Sequence, residues 1–255
     1  MRFANQTILI TGGCGDIGRA TATRLSGEGA TVVLSDVVSA EEGSAIVASI
    51  GGARPGRYIR CDVSQRADVD RLFAELGRVD VVISNAGIVR AAPFVELTEE
   101  DWRATIAVNL TGAFNVGQAA ARAMMRQAPG PGGIRGRILF TGSWVQDMPF
   151  PGSSAYIASK GGQKMLAKVM AQELAGSGIL VNLVAPGLVM AGLTKQLYDA
   201  DPEFRVRATQ AVPLGTFQTP DNVAGSFAFL CSSDADYMTG TTILIDGGNS
   251  LVRRD

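Results

Sequence analysis

Thr7-Ile8-Leu9-Ile10-Thr11-Gly12-Gly13-Cys14-Gly15-Asp16-Ile17-Gly18 is the stretch on which the fold turns. Residues 7–11 form a short β-rich apolar run, the pattern of a strand covered on both faces. The glycines that follow let the backbone turn sharply, and a helical pattern over residues 17–26 begins at once. A strand that enters a helix through such a turn presents free backbone N–H groups and the positive end of the helix. A pyrophosphate fits there. A glycine cluster is weak evidence alone; its place in the first strand–helix turn of an alternating pattern gives it weight.

Working outward, further strands are expected at 31–36, 57–61, 79–84, 137–141, 180–184 and 241–245. Helical patterns lie between them at 39–50, 65–76, 98–127, 154–175 and 220–230. Thr98 with Asp101 three residues later, and Thr219 ahead of Pro220, read as helix starts. Strands alternating with helices predict an α/β chain, a single Rossmann-type doubly wound parallel sheet of about seven strands flanked by helices. The whole of residues 1–255 is expected to form one domain. Two segments break the rhythm. Residues 129–133 read as an exposed turn-rich connector, and residues 188–213 as an irregular connection of lid type. Met190, Leu193, Leu197, Tyr198 and Phe204 would give that lid an apolar face.

Composition narrows the function. The 255 residues are 46% hydrophobic and 18% charged, with net charge −1 and no long run of one sign, so no nucleic-acid footprint appears. Neither an apolar leader nor a membrane-length apolar run is evident, so the expectation is a soluble, cytoplasmic protein. Cys14, Cys61 and Cys231 are far apart and the chain has no histidine, which argues against a metal site.

The absence of histidine matters for chemistry near neutral pH. Tyr156 and Lys160 lie four residues apart, on one face of a helix if 154–175 is helical, and Ser143 precedes them. An ammonium beside a phenol favours the phenolate, so Tyr156 becomes a usable base. Asp36, at the end of the second strand, is placed to accept hydrogen bonds from an adenosine ribose and to repel a 2′-phosphate. NAD is therefore expected over NADP.

These residues together resemble the short-chain dehydrogenases/reductases, over essentially the whole chain. The family's Thr-Gly-x-x-x-Gly-x-Gly is met by Thr11, Gly12 and Gly18; its Asp-Val by Asp62-Val63; its Asn-Asn-Ala-Gly by Ser84-Asn85-Ala86-Gly87. Pro186-Gly187 and Asp246-Gly247-Gly248 follow the sixth and seventh strands as in relatives. The resemblance implies a catalytic set of Asn109, Ser143, Tyr156 and Lys160. It implies a cofactor site of Gly12, Gly15, Asp16, Ile17 and Gly18 in the turn, Asp36, Asp62 and Val63 around the adenosine, and Asn85, Ala86 and Gly87 as the floor. Tyr156, Lys160, Pro186, Gly187 and Val189 would complete it near the nicotinamide.

What the resemblance implies for mechanism is hydride transfer between a carbinol carbon and nicotinamide. Tyr156 would take the hydroxyl proton and Ser143 would steady the substrate oxygen. Lys160 would lower the Tyr156 pKa and hold the ribose, and Asn109 would position a water on the proton path. Two positions depart from the pattern. Asp16 stands where the family has its second motif glycine and is expected to cap the helix. Ala191 stands where relatives have a threonine, with Thr194 nearby.

The expected substrate is a sugar or polyol, bound by Trp144 and Gln146, with Asp147 beside them. Arg90, Arg205 and Arg207 would instead favour an anionic group. Reduction of 3-oxoacyl or other ketone substrates is the first alternative; a catalytically silent NAD-binding protein is the second. Relatives imply a homotetramer built on helices 98–127 and 154–175.

Overall fold

The computed structural model describes residues 1–52 and 54–251, and within them the side chain of Leu193 is not described. Among the described residues the strands are β1 (Thr7–Thr11), β2 (Thr31–Asp36), β3 (Arg57–Arg60), β4 (Val81–Ser84), β5 (Gly136–Thr141), β6 (Ile179–Pro186) and β7 (Thr242–Ile245). They form one sheet in the order β3-β2-β1-β4-β5-β6-β7, and all pairs are parallel. Strand order reverses between β1 and β4. The turns that leave these two strands therefore run to opposite faces and open a crevice at their carboxyl ends, the general ligand position of such sheets.

The alternating strand direction of side chains explains the three layers. Ile8 and Ile10 of β1 pack with Leu25, Val47 and Phe227, from α1 (Asp16–Gly27), α2 (Ala40–Ile50) and α9 (Pro220–Cys231). Leu9 turns the other way, into a core with Leu72, Val116 and Ala167 from α3 (Arg66–Leu76), α5 (Gly112–Met125) and α6 (Ser154–Leu174). Phe140 and Phe227 are fully buried, one in each core, and each such burial is worth about 1.5–3 kcal/mol. Side chains complete several helix starts: Ser39 accepts the Glu42 N–H, Thr98 that of Asp101, and Thr219 that of Asn222.

Two segments differ from the sequence expectation. The single helix at 98–127 is divided into α4 (Glu99–Ile106), a π-helical turn (Ala107–Thr111) and α5. Hydrophobic periodicity cannot register one extra residue in a turn, and the extra residue falls beside Asn109. Residues 188–213 are not irregular either. They contain α7 (Gly192–Ala200) and α8 (Pro202–Gln210), the second begun by Asp201, whose carboxylate accepts the Glu203 and Phe204 N–H groups ahead of Pro202. No helix among the described residues is long and apolar enough to cross a membrane.

Candidate active site

Gly12 has a left-handed backbone (φ +60°) and presses against the end of β4; a Cβ there would stand 2.7 Å from Ala86 Cα. Gly18 is tighter still, with an added Cβ 2.4 Å from the Gly12 carbonyl oxygen. These two glycines permit the close approach of turn, helix and sheet. Gly15 is different. A Cβ there would meet only the Gly12 oxygen, at 3.6 Å, so the space before the N-terminus of α1 is open. An open backbone cradle at the positive end of a 12-residue helix fits a cofactor diphosphate.

Asp16 does not cap that helix. Gly15 occupies the cap position with no side-chain hydrogen bond, and Asp16 is the first helical residue, one position late for capping. Its carboxylate accepts the Gly192 N–H instead, at 2.9 Å, across to the first residue of α7.

Asn85 locks the floor of the crevice. Its amide donates to the Gly12 carbonyl at 3.0 Å, its oxygen accepts the Thr141 hydroxyl at 3.0 Å, and its backbone N–H reaches the Thr11 hydroxyl at 3.1 Å. One residue thus ties β1, β4 and β5 to the glycine turn. At the end of β2 the half-buried Asp36 carboxylate accepts the Val37 N–H at 2.8 Å and the Cys14 N–H at 3.0 Å. A carboxylate has about four lone-pair directions, so acceptor capacity remains for ribose hydroxyls. Burial first, and Asp36 second, push the Cys14 thiol up to about 11, which keeps it protonated beside that acid. Asp62 accepts the Ser64 N–H and hydroxyl at 2.9 and 2.7 Å. Val63 is buried against α5, where an added Cβ on Gly112 would come within 2.7 Å of it. Gly187 packs as closely on β7, with an added Cβ 2.6 Å from Asp246 Cα. Val189 is buried and forms a parallel bridge with Gln218.

Ser143, Tyr156, Lys160 and Asn109 converge where β4 and β5 end. Lys160 is buried, and its ammonium donates to the Thr141 carbonyl at 2.6 Å and to Gln163 Oε1 at 3.2 Å. It stands 5.6 Å from the centre of the Tyr156 ring. Burial brings the Lys160 ammonium down to about 8. Burial also pushes the Tyr156 phenol above its ordinary value, against a hydrogen bond with Ser143 that pulls it down. The net lowering expected from Lys160 is not found in the protein alone, because the phenol loses more to desolvation than it gains from the Ser143 hydrogen bond.

Asn109 is fully buried in the π-helical turn. Its oxygen accepts the Ile88 N–H at 2.8 Å, and its amide donates to the Ile88 carbonyl at 2.9 Å and to Ser159 Oγ at 3.1 Å. Both amide protons are therefore committed within the protein. Gly87 touches Asn109 and Lys160 together: a Cβ there would lie 3.4 Å from Asn109 Oδ1 and 3.7 Å from Lys160 Nζ. Thr141, Ser159 and Gln163 hold this set in place and were missed by motif reading. Gln163 carried a signal, a polar residue one helical turn beyond Lys160 on the same face.

The segment expected to bind a polyol is occupied by its own contacts. Trp144 is buried with its ring edge-on to Phe150, centroids 5.9 Å apart. Gln146 Oε1 accepts the Ser143 N–H at 3.5 Å, and both Asp147 oxygens take the Lys164 ammonium, at 2.5 and 2.6 Å. Arg90 pairs with Asp101 at 3.2 Å, Arg205 donates to the Tyr198 carbonyl and covers its ring, and Arg207 is exposed.

A family model described as enoyl-(acyl carrier protein) reductase matches residues 14–250. The 3-oxoacyl-[acyl-carrier-protein] reductase FabG of Thermotoga maritima is 39% identical, over 97% of this chain and 99% of that protein. The D-threitol dehydrogenase of Mycolicibacterium smegmatis is 34% identical, over 98% and 95%. A solved putative 2-deoxy-D-gluconate 3-dehydrogenase of Agrobacterium tumefaciens with bound NADP superposes with a TM-score of 0.88, at 30% identity and 98% coverage of both chains. The chain belongs to the short-chain dehydrogenase/reductase family.

In this short-chain dehydrogenase/reductase, no cluster of three or more His, Cys, Asp or Glu side chains able to hold a metal occurs among the described residues. A cleft of about 350 Å³ opens at the other end of the sheet, among Asn5, Arg78, Asp80 and Arg135, and contains none of the candidate site residues. The candidate catalytic residues lie at the opposite, carboxyl ends of the strands. Of the two departures from the family pattern, Asp16 reaches α7, while Ala191 is the residue preceding α7 and Thr194 lies half-buried in its first turn.

Proposed function

We propose that this protein interconverts a secondary alcohol and its ketone with NAD(H). The observation that carries the reading is the convergence of Ser143, Tyr156 and Lys160 beside an open glycine turn. Asp36 supports NAD over NADP: an anchored carboxylate can accept ribose hydroxyls and repels a phosphate at the same position. Gly12, Gly15, Ile17 and Gly18 would hold the diphosphate, Asp36 and Asp62 the adenosine, and Lys160 the nicotinamide ribose. Bound NAD would supply the hydride acceptor, and its positive charge would favour the Tyr156 phenolate.

In the oxidative direction Tyr156 takes the proton of the substrate hydroxyl, while the Ser143 hydroxyl donates to the developing oxygen anion. Lys160, held by the Thr141 carbonyl and Gln163, stabilises the phenolate and passes on the proton. Asn109 fixes the π-helical turn against Ile88, which keeps Lys160 and Gly87 in register.

For the substrate, the commitment of Trp144, Gln146 and Asp147 to internal contacts speaks for a ketone or alcohol carrying an apolar group, in line with the similarity to 3-oxoacyl reductases. Residues 188–213 would form the lid, with Met190, Leu197, Tyr198 and Phe204 as its apolar side. The sugar or polyol reading keeps the support of the likeness to a D-threitol dehydrogenase and to a putative 2-deoxy-D-gluconate 3-dehydrogenase. A homotetramer is supported by exposed Phe114, Met165 and Val169 on α5 and α6. The deciding experiment is NADH turnover on 3-oxoacyl thioesters, cyclic ketones, sugars and polyols. Higher kcat/KM on polyols than on the apolar ketones would sink the substrate assignment.

A further inference from the structure

The Asp16 carboxylate has no part in the chemistry described above, although it stands in the glycine turn. We infer that Asp16 is a positioning residue that latches the lid onto the cofactor turn. This rests on the reading of the turn as a diphosphate site.

The lid is pinned at its base. Met190 N–H donates to the Gln218 carbonyl at 2.7 Å, Gln218 N–H to that of Leu188 at 3.0 Å, and Leu214 N–H to that of Gly247 at 3.2 Å. Between these anchors α7 and α8 hold mainly to each other and to the returning loop, through Arg205 on Tyr198 and the edge of Tyr198 on Phe217. Among the described residues of 192–210, the Gly192 N–H donated to Asp16 is the hydrogen bond that reaches the glycine turn. Gly192 has φ +46°, so the lid bends there in a conformation that L side chains rarely adopt. The Lys195 ammonium pairs with Asp199 at 2.5 Å within α7, and it is held above its ordinary value first by that partner, with Asp16 a lesser cause.

The electrostatic sense of the arrangement is definite. With its carboxylate drawn to Gly192, Asp16 leaves open the cradle at Gly15. A diphosphate in that cradle repels the carboxylate and so favours its position on Gly192. Cofactor binding thereby favours the latched lid, and by linkage the latched lid binds the cofactor more tightly; a closed lid across the turn also stands in the way of its release.

The test measures NADH release by stopped-flow fluorescence in wild type, Asp16→Ala, Asp16→Asn and Asp16→Gly. Loss of one hydrogen bond should speed release about fivefold in the Ala and Gly variants, while Asn, which keeps an oxygen acceptor, should stay within about twofold of wild type. Lys195, Arg205 and Arg207 are exposed in the lid helices and report its state to trypsin. NADH should protect them in wild type and Asp16→Asn but much less in Asp16→Ala. Equal release and equal protection in all four proteins would overturn the latch, as would slower release from Asp16→Gly. Failure of wild type to bind NADH would instead overturn the cofactor reading beneath it.

Discussion

Replacing Lys160 by methionine removes a buried ammonium whose pKa burial lowers from 10.5 to about 8. That displacement is worth about 3 kcal/mol of differential stability between the charged and neutral forms. The sign follows from proton counting. The folded value lies below the unfolded one, so between about pH 8 and 10.5 the unfolded chain holds more protons than the native protein. Wild-type stability therefore gains from Lys160 as pH rises through that window, and below about 8 the native state bears the full cost of keeping it charged. Between about pH 7.5 and about pH 9.5 the gain integrates to about 2 kcal/mol. The assay is urea unfolding of wild type and Lys160→Met at both pH values. The two proteins share their other titrating groups, so the change in their difference isolates Lys160. The methionine variant also leaves the Thr141 carbonyl and Gln163 Oε1 without their donor, but that loss does not vary with pH and cancels. A difference that stays flat, or that shrinks the wild-type advantage as pH rises, would refute the assignment of Lys160 as a desolvated cation.

The other expectations are simpler. Tyr156→Phe should lower turnover by about 10²–10⁴-fold while NADH binding and the melting temperature stay near wild type, since only the proton-transferring hydroxyl is lost; near-normal turnover would remove Tyr156 from the chemistry. Gly18→Ala forces a Cβ against the Gly12 carbonyl, a 2.4 Å approach, and should cost about 1–3 kcal/mol in chemical unfolding and weaken NADH binding together. Asp36→Ala should raise relative kcat/KM for NADP over NAD by about tenfold or more, as a repelling charge is lost near the 2′ position; an unchanged ratio would detach Asp36 from cofactor choice. Thr219→Ala removes the cap of α9 at its Asn222 N–H and should cost about 1 kcal/mol without changing kcat, measured by thermal unfolding and steady-state kinetics.

Much of the fold was legible because its signals are local. The expected strands at 7–11 and 31–36 agree with β1 and β2 at both ends, and Thr98 and Thr219 cap as expected. The π-helical turn at Asn109 was not legible, since the periodicity of 98–127 continues through it. Nor were α7 and α8: the face of α8 is only weakly amphipathic, and α7, although it carries a clear apolar face, is a nine-residue helix inside a stretch read as one irregular connection. Asp16 shows the same limit at one residue. Its capping preference is a local fact, but its partner is Gly192, 176 positions away.

The alternation of short apolar strands with helices, and the glycine turn after the first of them, determined by themselves an α/β sheet with an open glycine turn at the start of its first helix. These depend on neighbours along the chain, where sterics and side-chain direction act directly. Only the tertiary structure decided that Lys160 is desolvated and gripped by Thr141 and Gln163, and that Tyr156 is raised rather than lowered. It also decided that Trp144, Gln146 and Asp147 are spent on internal partners. Desolvation and hydrogen-bond occupancy depend on what the fold brings alongside a residue from far along the chain, and neither residue type nor spacing records it.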